Sequence, residues 1–384
     1  MKQALMPTQN CFRHQAYSAD PPIGAYEMLN APIDPPADSK EFTRRIREVA
    51  QRLADHHVDE IVIVHGTFFG DDALGLFTEL ERYAPTFGRK VRTANKFLKD
   101  SIVGYRNNFT LEYADRLKRL LRTAGHPHIR VRRWHWSSGN HHVARADGAV
   151  RLLNELLDMP AEANAGTLLW GHSHAGNVFA LITNLLCSPP DVVEQFFAAA
   201  EPFYRGALGH RADLPYWEHL RRRLADGVER PRLLVANFGT PVRYGWDIAG
   251  CERLVHFVYH VPNPELPEYR VAFPPTWDDL AAAAAGDVVQ QGGIAGSDSP
   301  PNRLRVRTRR AHQQLGRLLE ANLDDTYLER LKTGMRVAED GLTLLVNYEH
   351  YEKRFLCSQF GHAVYTHPVW MLFHAEETAR RLCP

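Results

Sequence analysis

Thr167 to Leu186 reads TLLWGHSHAGNVFALITNLL, and the fold turns on how this stretch is parsed. Thr167 to Trp170 is a short apolar run that stops at Gly171, whereas Val178, Leu181, Ile182 and Leu185 recur at helical spacing, so the period changes across Gly171-His172-Ser173-His174-Ala175-Gly176. A buried strand, a sharp turn and a helix follow from that change. A serine at the apex of such an elbow sits on a strained backbone, and the residues two before and two after it must be small, as Gly171 and Ala175 are. The helix start then points its positive dipole end at the serine, which suits an oxyanion formed in acyl transfer. Ser173 is therefore the candidate nucleophile.

These residues resemble the nucleophile elbow of α/β-hydrolases, G-x-S-x-G, and more narrowly the GHSxGG form of many lipases and esterases, with Ala175 in place of the usual glycine. The resemblance implies an α/β-hydrolase fold, a mainly parallel central sheet flanked by helices with helical cap or lid insertions. Two further stretches agree with it in order along the chain. Ile61 to Val64 is a β-branched run that reads as a central strand and ends at His65-Gly66-Thr67-Phe68, similar to the His-Gly loop that supplies an oxyanion-hole amide; the resemblance gives that role to Thr67, with the amide of His174 as second donor. Arg232 to Phe238 reads as a strand leading into Gly239-Thr240-Pro241-Val242-Arg243, similar to the GTPHRG turn of lipases with Val242 for histidine.

A serine needs a base, and the base a carboxylate to orient it. The fold implied by the resemblance sets the chain order as Ser, then acid, then His. Position rather than presence selects the histidine among 20, and His362, after the last expected strand Leu342 to Asn347 and before the closing helix Pro368 to Leu382, is the choice ahead of His367, His350 and His374. Gly286-Asp287-Val288-Val289 resembles the G-D-x-V-V turn that presents the acid in many lipases, which favours Asp287 over Glu265, Asp278, Asp279 and Asp298. His65, Phe68 and Tyr244 are the candidate substrate contacts, with Phe69, Trp170 and Trp246 as further aromatics for an apolar acyl pocket or for core.

The remaining chain frames that site. Met1 to Ala37 is proline-rich and polar and is expected to be an irregular extension; a single domain follows over 38–384, with insertions at about 71–109, 188–230 and 262–341. Asp38 and Glu41 form an expected capping box ahead of a helix that buries Phe42, Ile46, Val49, Ala50 and Leu53. Helices are expected over Leu111 to Thr123 and Val143 to Met159, strands over Ile129 to Trp136 and Leu254 to Tyr259, and a glycine-rich loop over Gly292 to Pro301. In the 188–230 insertion, Phe196, Phe197, Phe203, Tyr204 and Trp217 read as the core of an added helical layer or as lid surface.

A net charge of +1 asks for no nucleic acid or anionic membrane, and Arg303 to Arg310 reads as a solvated helix face. No apolar run reaches the ~18 to 20 residues of a membrane span, so no transmembrane segment is expected. Five scattered cysteines and an N-terminus without an apolar signal core lead to a cytoplasmic expectation. His135, His141, His142, His172 and His174 lack metal-ligand spacing, so neither a metal nor a cofactor is expected. The expected function is a serine hydrolase that cleaves a small-molecule or lipid carboxylic ester through an acyl-enzyme. A thioesterase, amidase or acyltransferase would use the same triad, and a non-catalytic binding protein could use the same scaffold. Oligomeric state is not legible in the sequence.

Overall fold

The computed structural model describes residues 12–15, 17, 19–67, 108–159, 165–205, 214–272, 284–295, 306–320, 333–348 and 361–384. Seven strands form one sheet: β1 (Ala25–Ala31), β2 (Val58–Val64), β3 (Arg130–Trp134), β4 (Gly166–His172), β5 (Arg232–Phe238), β6 (Arg253–Tyr259) and β7 (Leu342–Tyr348). Their order is β1-β7-β6-β5-β4-β2-β3, and each neighbouring pair is parallel. Parallel strands need helical crossovers, so both faces are covered and the central strands are apolar throughout. Within β2, Ile61 and Ile63 face one core while Val62 and Val64 face the other, the two-residue period of a strand.

One face carries α1 (Lys40–Asp55), α2 (Leu111–Thr123) and α9 (Met371–Leu382). Helix α1 buries Phe42, Ile46, Val49, Ala50 and Leu53, as the spacing predicts. Its cap is Ser39 rather than Asp38: the Ser39 hydroxyl accepts from the Phe42 amide three residues on, satisfying one of the donors the first turn leaves unpaired. The other face carries α3 (His142–Asp158), α4 (Ala175–Cys187), α5 (Pro190–Tyr204), α6 (Leu214–Asp226) and α8 (Val306–Leu319), while α7 (Val288–Ala295) follows Asp287. The aromatics of the 188–230 insertion are core. Trp217 stacks on Tyr204 at 4.2 Å and on Phe196 at 5.5 Å, and all three are buried.

Two expectations give way. The extension over 1–37 contains β1, which pairs with β7 from Ala25–Leu342 to Ala31–Tyr348. An edge strand is only half covered, so its apolar signal is weak, and its partner lies far along the chain. The glycine-rich stretch from Gly292 to Ala295 is the end of α7 rather than a loop, and 296–301 lie outside the described residues; at 293 only glycine fits, since an added Cβ would lie 2.5 Å from Pro241 Cβ.

Topology sets where neighbouring loops part. From β2 the chain steps outward to β3, then returns to β4 on the other side of β2 and proceeds through β5, β6 and β7. The loops after β2 and β4 therefore leave the carboxyl ends of neighbouring strands in opposite directions, the switch point at which sheets of this kind take ligands. Those loops begin at His65 and Ser173.

Candidate active site

Ser173 adopts φ +56°, the left-handed region that a non-glycine residue rarely occupies, and it is one of few such residues among those described. The elbow is held on both sides: the Ser173 amide donates to the Phe238 carbonyl at 2.8 Å, and the Ser173 carbonyl accepts from Thr240 Oγ1 at 2.8 Å and from the Gly176 amide at 3.1 Å. The small-residue requirement is visible in atoms. A Cβ on Gly171 would lie 2.4 Å from the Phe179 ring and 3.2 Å from Ala175 Cβ, so Ala175 is accommodated because Gly171 lies opposite. Helix α4 then starts at Ala175 with no side-chain cap, leaving its positive end beside Ser173.

The Gly-Thr-Pro turn after β5 is clamped to that helix. Asn177 Nδ2 donates to the Pro241 carbonyl at 2.9 Å, and Asn177 Oδ1 accepts from the Arg243 amide at 3.0 Å. Asn177 Nδ2 also lies 3.1 Å from His174 Nδ1, which makes that nitrogen the acceptor and places the ring proton on Nε2.

His362 and Asp287 are brought together across 75 residues of sequence: His362 Nδ1 lies 2.7 Å from Asp287 Oδ2. Each follows a glycine in the left-handed region, Gly361 at φ +84° and Gly286 at φ +98°, and the two glycines pack on each other. A side chain at Gly286 would strike the Tyr259 carbonyl, with its Cβ 2.2 Å from the oxygen. Asp287 is fully buried. Its Oδ1 accepts from the Gln290 amide at 2.9 Å and its Oδ2 from the Tyr365 hydroxyl at 3.0 Å. The Tyr365 hydroxyl in turn accepts from the Tyr259 amide at 2.7 Å, and burial pushes this phenol well above its ordinary pKa, so it remains a donor. Arg336, also buried, donates to the Asp287 carbonyl at 2.7 Å and to Gln290 Oε1 at 2.6 Å. Because a carboxylate only accepts, Nδ1 of His362 carries the proton and Nε2 is left basic.

His172, one residue before Ser173, ties this pair to the elbow. Its ring lies 4.6 Å from that of His362, and its Nε2 lies 3.2 Å from the His362 carbonyl, an acceptor, so Nε2 donates. Burial, helped by the neighbouring His362 and His65 rings, holds its pKa well below the usual histidine value, so it stays neutral.

His65 is wholly buried and shapes its own loop: Nδ1 lies 3.0 Å from the Gly66 carbonyl, and its carbonyl accepts from Trp136 Nε1 at 2.8 Å. Gly66 lets this loop close on the elbow, since a Cβ there would lie 2.7 Å from Ser173 Cβ. Thr67 follows and is 6% exposed. Phe68 lies outside the described residues, as do Phe69, Asp278, Asp279, Asp298 and His350. Tyr244 is buried in a separate polar cluster, its hydroxyl 2.7 Å from both Arg145 Nη1 and His142 Nδ1. Trp170 and Trp246 are core residues.

Of the other candidate histidines, His367 is exposed and caps the short turn at Pro368, and His374 is buried against the Tyr348 hydroxyl at 2.8 Å. Glu265 is an exposed loop residue. Among the described residues no group of three or more His, Cys, Asp or Glu converges as a metal ion would require, and no helix is long and apolar enough to cross a membrane. Sequence reasoning missed Tyr365, Arg336, Gln290 and Asn177. Tyr365 lies one helical turn after His362 and Gln290 one after Asp287, a local signal; Arg336 carries none. Compared with family models, curated proteins and solved structures, the chain matches none of them.

Proposed function

We propose that this chain is a serine hydrolase of the α/β-hydrolase fold that cleaves carboxylic esters with Ser173, His362 and Asp287. The observation that carries the reading is the buried His362–Asp287 pair, oriented at 2.7 Å and packed through His172 against a serine held at φ +56°. The strand order supports it as well, because the loops that begin at His65 and Ser173 flank the switch point where such a sheet takes its ligand.

In the proposed reaction, His362 Nε2 takes the proton from Ser173 Oγ as the oxygen attacks the ester carbonyl. The carbonyl oxygen becomes an oxyanion that accepts hydrogen bonds from the Thr67 and His174 amides. Collapse expels the alcohol, which receives the proton from His362, and leaves an acyl-Ser173 ester. Water then attacks that ester, His362 accepts its proton, and breakdown returns the proton to Ser173 Oγ as the acid departs. Asp287 holds the imidazole tautomer throughout, and Tyr365 and Gln290 hold Asp287.

The test is labelling with a fluorophosphonate probe, with mass spectrometry locating the adduct in the wild type and in Ser173→Ala and His362→Ala variants. Labelling at Ser173 that is lost in both variants is the expected result. A folded wild type that does not react, with and without detergent, removes the hydrolase reading and favours a binding protein on this scaffold.

A further inference from the structure

Thr67 holds a group that the mechanism above leaves unused. Its side-chain hydroxyl is buried, the residue being 6% exposed, and Oγ1 has no hydrogen-bond partner among the described residues. Buried hydroxyls are ordinarily paired, and an unpaired one destabilises the fold unless something else engages it. Its neighbour Gly66 stands so near the elbow that an added Cβ would lie 2.7 Å from Ser173 Cβ. The same point is 3.3 Å from His172 Nδ1, a second buried polar atom here without a partner among the described residues. These two atoms differ in what they offer. Because His172 Nε2 donates to the His362 carbonyl, its Nδ1 is an acceptor and repels an anionic oxygen, whereas Thr67 Oγ carries a proton to donate.

We propose that the Thr67 hydroxyl is a third oxyanion donor, acting beside the two backbone amides. This rests on the serine-hydrolase reading of the same site. In the resting enzyme the hydroxyl has no partner among the described residues; when Ser173 attacks, the carbonyl oxygen gains charge and accepts its hydrogen bond. No proton is transferred, and the bond is released when the carbonyl re-forms and the alcohol leaves. A donor that is satisfied only in the transition state lowers the barrier without tightening ground-state binding. The cost appears as lost stability in the resting fold, the usual exchange at a functional site.

The experiment compares wild type, Thr67→Val and Thr67→Ser in the full chain, measuring the kinetics of fluorophosphonate labelling and thermal unfolding. Valine keeps the shape and the backbone amide and removes only the hydroxyl. The expected result is a maximal labelling rate about 100-fold lower in Thr67→Val, with the half-saturating probe concentration unchanged. Thr67→Ser should restore the rate to near wild type, and Thr67→Val should melt no lower than wild type. Labelling of Thr67→Val at the wild-type rate overturns the proposal. So does a rate loss accompanied by a lower melting temperature that serine does not rescue, which would mean a structural hydroxyl. If wild-type Ser173 itself does not label, the hydrolase reading fails before the variants are compared, a result distinct from either of these.

Discussion

Replacing Tyr365 by phenylalanine removes one oxygen and leaves the ring, which is fully buried, in place. That oxygen has two partners: it donates to Asp287 Oδ2 at 3.0 Å and accepts from the Tyr259 amide at 2.7 Å. Losing it leaves a buried N–H unpaired, at about 1–3 kcal/mol, and takes from a carboxylate a hydrogen bond worth about 1.5–3 kcal/mol, so the loss of stability is about 2.5–6 kcal/mol. In a chain of this size that is a fall in Tm of roughly 2–8 °C. Under the proposed mechanism the effect on reactivity is smaller than that of removing the Asp287 carboxylate. Asp287 keeps its bond to His362 and its bond from the Gln290 amide, so labelling of Ser173 slows about 10-fold rather than the ~10⁴-fold that follows from losing the correct histidine tautomer. Thermal unfolding and labelling kinetics on the same preparation give both numbers. A Tyr365→Phe protein with unchanged Tm and unchanged labelling would refute the claim that this hydroxyl bridges β6 to Asp287.

Other perturbations separate the site from its scaffold. Gly66→Ala places a Cβ 2.7 Å from Ser173 Cβ, so the elbow or the loop must shift; labelling is expected to fall at least about 100-fold, with a stability cost of about 1–3 kcal/mol by overpacking, read by calorimetry. Trp217→Ala empties a site bounded by Phe196, Phe197 and Tyr204, and is expected to cost about 3–5 kcal/mol in denaturant unfolding while the native protein still labels at Ser173. Acid should destabilise the fold, because burial holds His256 and His260 down at about 4 and His374 at about 3 while the unfolded chain takes up those protons near 6.5. Their contribution is complete above pH 6.5 and is lost as pH falls toward 4. Asp34, pushed up to about 6 by burial, works in the opposite direction below pH 6, so these four groups together lose about 4 kcal/mol between pH 7 and pH 5, and His172 adds to the loss, measurable as a lower denaturant midpoint at pH 5.

Local pattern determined much of this molecule. The apolar runs of β2, β4, β5, β6 and β7 and the helical spacing of α1, α2 and α4 are readable because burial on two faces, or on one stripe, repeats within a few residues. The elbow was legible for the same reason: the change of period and the small residues around Ser173 lie within one turn of chain. What the sequence left open was long-range. Asp287 stood among several loop carboxylates until β6 and the turn at Gly361 brought it to His362, and Arg336 gave no local sign of the carbonyl it holds 49 residues away. β1 was hidden because an edge strand buries little, and its existence depends on a partner supplied only when β7 is in place. The burial of the Thr67 hydroxyl, without a partner among the described residues, is likewise a property of packing. A threonine in a sequence has a hydroxyl, and only the closed fold decides whether water or protein is there to meet it.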